Sequence, residues 1–181
     1  MVHRIAYAEQ NLEQLYLIGF RLTSPPQERI LYTLVLYYES ARNDQNRPLT
    51  HDGRIVFFTK PETAEFALSL GDTTFRKYGH APRKISTIYD IPMVVQLVQS
   101  GDHDASGEVV NFLNEVFDLV LETREPFPEP YRHVLHELAD YATFSRDLAQ
   151  HLDAAPDRRR LALDALYWSF GVVAARTQIV S

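Results

Sequence analysis

The sequence contains no cysteine, so disulfide bonds, thiolate metal ligands and cysteine nucleophiles are all excluded. It also lacks common enzyme motifs, since G-x-S-x-G, G-x-x-x-x-G-K-[ST] and G-x-G-x-x-G do not occur among its seven glycines. We therefore predict no catalytic residue and no cofactor, and we favour a protein that is not an enzyme. The lack of cysteine is compatible with a cytoplasmic location, which we expect.

Long hydrophobic segments are absent as well. The first residues, MVHRIAYAEQNLEQ, contain no extended apolar run of the kind found in a secretory signal. The most apolar stretch, residues 161–175, carries Asp164 and is too short to span a bilayer. We expect a soluble protein without membrane contact.

Basic residues are in the minority. Lys and Arg number 18 against 24 Asp and Glu, which gives a formal net charge of −6 at pH 7. Nucleic-acid binding requires Lys and Arg side chains that neutralise phosphates, so this balance argues against general nucleic-acid binding. The composition still allows a local basic patch.

The chain contains enough apolar residues to form a hydrophobic core. Its 181 residues are 45% hydrophobic and include ten Tyr and ten Phe, which suits a single domain. We predict one α+β domain over residues 1–181, with a sheet-containing half at about 1–102 and a helical half at about 103–181.

Two early segments predict a β-hairpin. Residues 15–23 (LYLIGFRLT) place apolar side chains on one strand face, and residues 30–38 (ILYTLVLYY) are rich in β-branched and aromatic types. Ser24-Pro25-Pro26 would form the turn between them. The alternative is a helix over residues 4–22, because apolar residues there also recur near heptad spacing.

Two further segments predict a strand that runs into a capped helix, RIVFFTKPETAEFALSLGD (54–72) and ISTIYDIPMVVQLVQSGD (85–102). In the first, Thr59 and Glu62 have the spacing of a capping box, and Gly71 suits a left-handed helix end. In the second, Asp90 caps the helix and Gly101 ends it. With the hairpin, these strands predict an antiparallel sheet of three or four strands in the N-terminal half.

The chain from about residue 105 onward has helical periodicity, with helices at about 107–123, 131–152 and 161–175. We predict that these three helices form a layer that packs on the sheet. The first helix has a polar stripe opposite its apolar face, made of Asn111, Asn114, Glu115, Asp118 and Glu122. The last helix is apolar nearly all round, which is typical of a core helix or of one buried between subunits. This pattern favours a homodimer.

Three arginines, Arg158, Arg159 and Arg160, open the last helix at the positive end of its dipole, which is unfavourable. We expect an internal acidic partner, such as the Glu115/Asp118/Glu122 face, to offset them.

The segment FRKYGHAPRK (75–84) holds four of the 18 basic residues between aromatic rings. Such a segment suits contact with an acidic protein partner, or phosphate contact with base stacking. The alternative is a solvated connection between a helix and a strand. We predict two partner-binding surfaces, whose residues are Arg76, Lys77, Tyr78, His80, Arg83 and Lys84 in this segment and Trp168 and Phe170 on the last helix.

The segment RHVLHELAD (132–140) could form a metal site. His133 and Glu137 are four residues apart, as are His136 and Asp140, so each pair shares a helix face that could bind a divalent ion. The order differs from the H-E-x-x-H pattern of zinc proteases, and a solvated face with i,i+4 pairs explains these residues without a metal.

A second acidic segment, GDHDASGE (101–108), contains Asp102, His103 and Asp104, which could chelate a cation or act as an acid–base cluster. A polar loop between two helices is the simpler interpretation, because the segment lacks the EF-hand pattern.

The leading hypothesis is a non-catalytic protein-interaction or regulatory module that acts as a homodimer. One alternative is a metal-dependent hydrolase that uses His133, His136, Glu137 and Asp140. Another is nucleic-acid or nucleotide binding through residues 75–84.

Overall fold

A long β-hairpin begins the part of the chain that the structure describes. The computed structural model describes residues 12–24, 27–39, 46–101, 106–145 and 147–181. Strands β1 (Leu12–Thr23) and β2 (Arg29–Glu39) pair antiparallel along their full length. The predicted hairpin is confirmed. The alternative helix is wrong for residues 12–22, and residues 4–11 lie outside the described residues.

The side-chain alternation of β1 explains why the strand is preferred. Leu17 and Ile18 are consecutive and both buried, yet they belong to different hydrophobic clusters on opposite faces of the sheet. Successive side chains of a strand point to opposite faces of the sheet, so β1 can bury apolar side chains on both faces. A helix in the same place would bury only one side.

The sheet is mixed and larger than predicted. Its order is β4-β5-β2-β1-β6, with β3 paired to β2 and β7 paired to β5. The added strands are β3 (Arg47–Pro48), β4 (Thr50–His51), β5 (Arg54–Phe58), β6 (Ile85–Asp90) and β7 (Thr177–Val180).

The prediction of an antiparallel sheet of three or four strands is therefore wrong in both number and direction. Strand β6 runs parallel to β1, and β7 runs parallel to β5. Parallel neighbours are joined by long crossovers, so local periodicity does not reveal their direction. The α+β content itself is confirmed.

Helices cover both faces of the sheet. After a 3₁₀ turn (Pro61–Thr63), the helices are α1 (Ala64–Leu70), α2 (Thr73–Arg76), α3 (Ile91–Ser100), α4 (Ser106–Thr123), α5 (Glu129–Phe144), α6 (Leu148–Leu152) and α7 (Arg158–Ala175). Helices α3 to α7 form the larger cluster with one sheet face, and α1 and α2 form a smaller cluster with the other. None of the described helices is both long and apolar enough to cross a membrane.

The predicted ends of α3 are confirmed. The Asp90 carboxylate accepts a hydrogen bond from the Met93 amide at 2.9 Å, and Gly101 has the left-handed φ of 73° that ends the helix.

Helix α1 ends at Gly71 as predicted, but the predicted capping box and the left-handed conformation of Gly71 are wrong. The chain enters α1 through the 3₁₀ turn, and no side-chain cap forms there. Gly71 is extended, with φ of −64°. A Cβ atom on Gly71 would lie 2.6 Å from Phe75 Cβ and 2.8 Å from Leu49 Cδ1, so close packing requires the glycine.

The arginines that open α7 have internal partners, but not the predicted ones. Arg159 donates hydrogen bonds to the carbonyls of Val98 and Gln99 at the end of α3, at 2.9 and 2.7 Å, and to Asp153. Arg158 and Arg160 form longer ion pairs, with Glu137 at 3.9 Å and with Asp157 at 3.5 Å. The expected pairing with the Glu115/Asp118/Glu122 face is wrong, because α4 directs Glu115 toward the sheet.

Candidate functional site

An apolar groove opens between one end of the sheet and helices α4 and α7. Its volume is about 280 Å³. Every lining residue except Thr177 is apolar; the others are Phe20, Leu22, Leu31, Phe57, Ile91, Phe112, Val116, Leu119, Phe170, Val173, Ala174 and Ile179. Such a lining offers shape and apolar contact but almost no hydrogen bonding.

Two large side chains of the groove are open to water. Leu22 at the end of β1 is 40% exposed, and Ile179 on β7 is 58% exposed. Exposed apolar side chains next to an apolar cavity form a contiguous patch, and such patches mark interaction surfaces.

Strand β7 borders this groove and lies at the edge of the sheet. Among the described strands it pairs only with β5. Thr177 and Ile179 line the groove, whereas Val180 packs in the cluster on the other face. The outer edge of β7 therefore presents backbone groups directly beside the groove.

A polar cavity lies on the same sheet face, at the opposite end of β1. Its volume is about 460 Å³, and none of its lining residues lines the groove. The lining consists of Gln14, Tyr16, Ile18, Tyr37, Tyr38, Asn46, Ser86, Thr87, Tyr89, Asn111, Asn114 and Glu115.

Among the described residues that line the polar cavity, Glu115 alone carries a carboxyl group. It is only 2% exposed, and the Tyr37 hydroxyl donates a hydrogen bond to its Oε2. Its Oε1 is buried and makes no well-formed hydrogen bond with any described residue. Burial raises the pKa of Glu115 to about 7, although the hydroxyl groups of Tyr37 and, more weakly, Tyr89 act in the opposite direction.

The neighbouring groups of the cavity are also perturbed. Burial raises the pKa of Asp118 to about 6, and the Asn46 amide donates a hydrogen bond to it at 2.8 Å. Burial raises the pKa of Tyr89 to about 12, and the pKa of Tyr37 rises above its usual range for the same reason. A cluster of buried groups with shifted pKa values beside a cavity is typical of a functional site.

The sequence interpretation missed this cavity. It placed Glu115 and Asp118 in a polar stripe of α4, and such stripes usually face solvent. The stripe instead faces the tyrosines of β2 and β6. The available signal was the pair of adjacent tyrosines, Tyr37 and Tyr38, at the end of the strand predicted over residues 30–38.

The basic segment 75–84 is partly used by the fold. Phe75 is fully buried, Lys77 pairs with Glu13 and lies 5.4 Å from the centre of the Tyr78 ring, and His80 lies 3.6 Å from Glu65.

The other three cations of the segment, Arg76, Arg83 and Lys84, are exposed and form no ion pair within the described residues. They stay available to an acidic partner or a phosphate, so both binding hypotheses for this segment stay predictions.

The helix face predicted to bind a metal lies on α5. His133 Nε2 is 3.4 Å from Glu137 Oε1, and both side chains line a cavity of about 430 Å³ together with Arg158. His136 stacks on Phe117 with ring centres 4.3 Å apart, and Asp140 is exposed.

Within the described ranges, no group of three or more His, Asp or Glu side chains is arranged to hold a metal ion. The metal-dependent hydrolase stays a prediction, without a ligand set in this part of the chain. Asp102, His103 and Asp104 lie outside the described residues.

The two predicted contact residues of α7 have different roles. Trp168 is half-buried and stacks on Phe127 with ring centres 4.9 Å apart, so it packs within the helical layer. Phe170 meets Phe112 edge to face at 5.9 Å and lines the apolar groove. Only Phe170 is therefore placed at a candidate binding surface.

Comparisons with known proteins show the fold alone. No protein-family model matches the sequence, and no curated protein matches it. A solved structure described as the crystal structure of the SatS C-terminal domain in complex with bromine matches with a TM-score of 0.57, over 92% of this chain and 94% of that chain. The sequence identity is 16%, so this similarity concerns the arrangement of helices and strands alone.

Proposed function

We propose that the protein is a non-catalytic interaction module that binds an extended apolar segment of a partner protein. The observation that carries this proposal is the open groove of about 280 Å³, whose lining is apolar except for Thr177. A groove without convergent polar groups is suited to side-chain burial rather than to chemistry.

The edge strand beside the groove favours an extended conformation for the partner segment. An extended peptide can add to a free sheet edge through backbone hydrogen bonds, and its alternate side chains then face one side of the sheet. On β7 that side is the one where Thr177 and Ile179 line the groove. Alternating apolar residues in the partner would therefore enter the groove.

A labelled model peptide tests the proposal directly. The probe is a fluorescein-labelled octapeptide of alternating Val and Thr, with a Lys added at each end for solubility, and the measurement is fluorescence anisotropy. We expect saturable binding that weakens about tenfold or more for Leu22→Asp and for Ile179→Asp, because each places a charge on the apolar surface.

Leu121→Asp is the matched control. Leu121 is 54% exposed, close to the 58% of Ile179, but it does not line the groove. We expect its affinity to equal that of the unsubstituted protein. Equal affinity for Ile179→Asp and Leu121→Asp would contradict the proposal.

The contribution of the strand edge has its own control. A peptide of the same sequence that is N-methylated on alternate residues cannot donate those backbone hydrogen bonds. We expect methylation of the residues whose amides face β7 to abolish binding, and methylation of the other set to have little effect. Equal binding by all three peptides would exclude strand addition.

The homodimer stays a prediction. In a homodimer, a second copy of the chain would be a different occupant of the groove. If light scattering shows a dimer that Ile179→Asp converts to a monomer, a second copy occupies the groove and the partner segment proposed above is wrong.

A further inference from the structure

The polar cavity holds negative charge that no cation offsets. Glu115 lines the cavity, and Asp118 lies one helical turn further along α4. Within the described residues, no Lys, Arg or His lines the cavity, and neither carboxyl group forms an ion pair. Each charge increases the cost of the other, since the proximity of Asp118 raises the pKa of Glu115.

The hydrogen bonding of Glu115 is incomplete. The Tyr37 hydroxyl satisfies Oε2, and the Tyr89 hydroxyl is near enough to stabilise the carboxylate, but the buried Oε1 has no well-formed hydrogen bond among the described residues. Buried carboxylate oxygens normally accept hydrogen bonds, and an unpaired one is costly. A donor supplied from the cavity would complete the set.

The remaining lining is suited to a positively charged organic group. Tyr16 and Tyr37 meet edge to face at 5.0 Å, and aromatic rings attract cations. Asn111, Asn114 and Gln14 supply neutral amides that orient a polar ligand. Once Glu115 is ionised, its charge repels an anionic ligand.

The size and ligand count argue against a bare metal ion. A volume of about 460 Å³ falls in the range of small-molecule pockets. The described residues also bring no three His, Asp or Glu side chains together in the way a metal site requires.

We propose that this cavity binds a small organic cation with N–H donors, a primary ammonium or a guanidinium, which donates to Glu115 Oε1 and neutralises the Glu115/Asp118 pair. This site is independent of the apolar groove, since the two share no lining residue.

NMR titration of the ¹⁵N-labelled protein at pH 8 tests the proposal with defined probes. The probes are n-butylammonium and agmatine, with tetramethylammonium and n-butanol as comparisons. We expect the first two to shift the amide signals of Asn111, Asn114 and Thr87 in a saturable way. Tetramethylammonium has charge but no N–H, and n-butanol has no charge, so both should bind about tenfold more weakly or worse.

Two substitutions locate the binding. Glu115→Gln keeps the shape and an acceptor for Tyr37 but removes the charge, and we expect it to weaken n-butylammonium binding about tenfold or more. Asn114→Trp keeps the carboxyl group and fills the cavity, and it should weaken binding to a similar degree. Glu129→Gln, an exposed change at the start of α5, is the control and should leave binding unchanged.

Three results would overturn the proposal. The first is the absence of saturable shifts with both N–H cations. The second is equal binding by the unsubstituted protein and Glu115→Gln. The third is tetramethylammonium binding as tightly as n-butylammonium. Ile179→Asp should leave these titrations unchanged, which separates this site from the function proposed for the groove.

Discussion

The Tyr37 hydroxyl donates a hydrogen bond to the buried carboxyl group of Glu115, and so joins the second strand to the first long helix across 78 residues of sequence. The contact places an ionisable group inside the protein, and among the described residues only one of its two oxygens has a well-formed hydrogen bond. We therefore expect the stability of the protein, its pH dependence and the ligand binding proposed above to depend on this pair of residues.

The first prediction concerns the pH dependence of stability. Burial raises the pKa of Glu115 from 4.5 to about 7, so between these values the folded protein binds more protons than the unfolded chain. The free energy of unfolding should therefore fall as pH rises through this window. Asp118, whose pKa is raised to about 6, contributes its own decrease. Glu115→Gln should remove the part that comes from Glu115, and relative to its value at pH 4.5 should gain on the order of 3 kcal/mol over the unsubstituted protein by pH 8.

Urea unfolding between pH 4.5 and 8 measures this difference. Glu129→Gln, on the surface, should follow the unsubstituted protein at every pH. A constant offset between Glu115→Gln and the unsubstituted protein would mean that Glu115 has an ordinary pKa in the folded state.

The second prediction concerns the hydroxyl of Tyr37. Tyr37→Phe removes the donor to Glu115, so the carboxylate loses stabilisation and its pKa should rise further. We expect a loss of roughly 1 to 3 kcal/mol at pH 8 and a smaller loss near pH 5, where Glu115 is protonated. Carboxyl ¹³C NMR titration gives the pKa and urea unfolding gives the stability.

Tyr141→Phe is the control for Tyr37→Phe. The Tyr141 hydroxyl donates to Gln150 Oε1 at 3.0 Å on an exposed surface, so its loss should cost less than about 0.5 kcal/mol. Equal effects of the two substitutions would remove the special role assigned to the Tyr37–Glu115 contact.

The third prediction compares two glycines. Gly71→Ala should destabilise the protein by roughly 1 to 3 kcal/mol, because its Cβ would lie 2.6 Å from Phe75 Cβ. Gly107→Ala, in the first turn of α4, meets nothing within 4 Å and should stabilise by up to about 1 kcal/mol through helix propensity. Thermal unfolding distinguishes the two, and a neutral Gly71→Ala would show that the packing around Leu49 can yield.

The fourth prediction concerns the start of α7. Arg159→Ala should cost about 1 to 3 kcal/mol, because it removes donors to the carbonyls of Val98 and Gln99 and to Asp153. Arg160→Ala removes only an exposed pair with Asp157 and should cost less than about 0.5 kcal/mol. Chemical unfolding of both variants tests this, and equal costs would contradict the docking of α3 through Arg159.

The fifth prediction addresses the remaining alternatives. Light scattering in line with size exclusion, with metal analysis across the same peak, should show a homodimer without stoichiometric Zn, Mn or Fe. About one metal ion per chain that is lost in His133→Ala would instead support the metal-dependent hydrolase. A monomer would contradict the dimer predicted from the last helix.

The sequence by itself determined the local elements. The alternation over residues 15–23 and the β-branched and aromatic composition of residues 30–38 predicted the hairpin, because both signals are local to each strand. Asp90 and Gly101 established the ends of α3, because capping depends on residues that are close in the chain.

Only the tertiary structure decided the strand directions in the sheet, the four-residue strand β7, the apolar groove and the polar cavity. Thr177–Val180 becomes a strand because β5 offers it a parallel edge, and no local pattern encodes that pairing. Glu115 has the sequence pattern of a surface residue, yet the packing of α4 against the tyrosines of β2 and β6 buries it. Burial and pairing across a long stretch of chain are set by which elements meet, and periodicity reports only how each element is patterned.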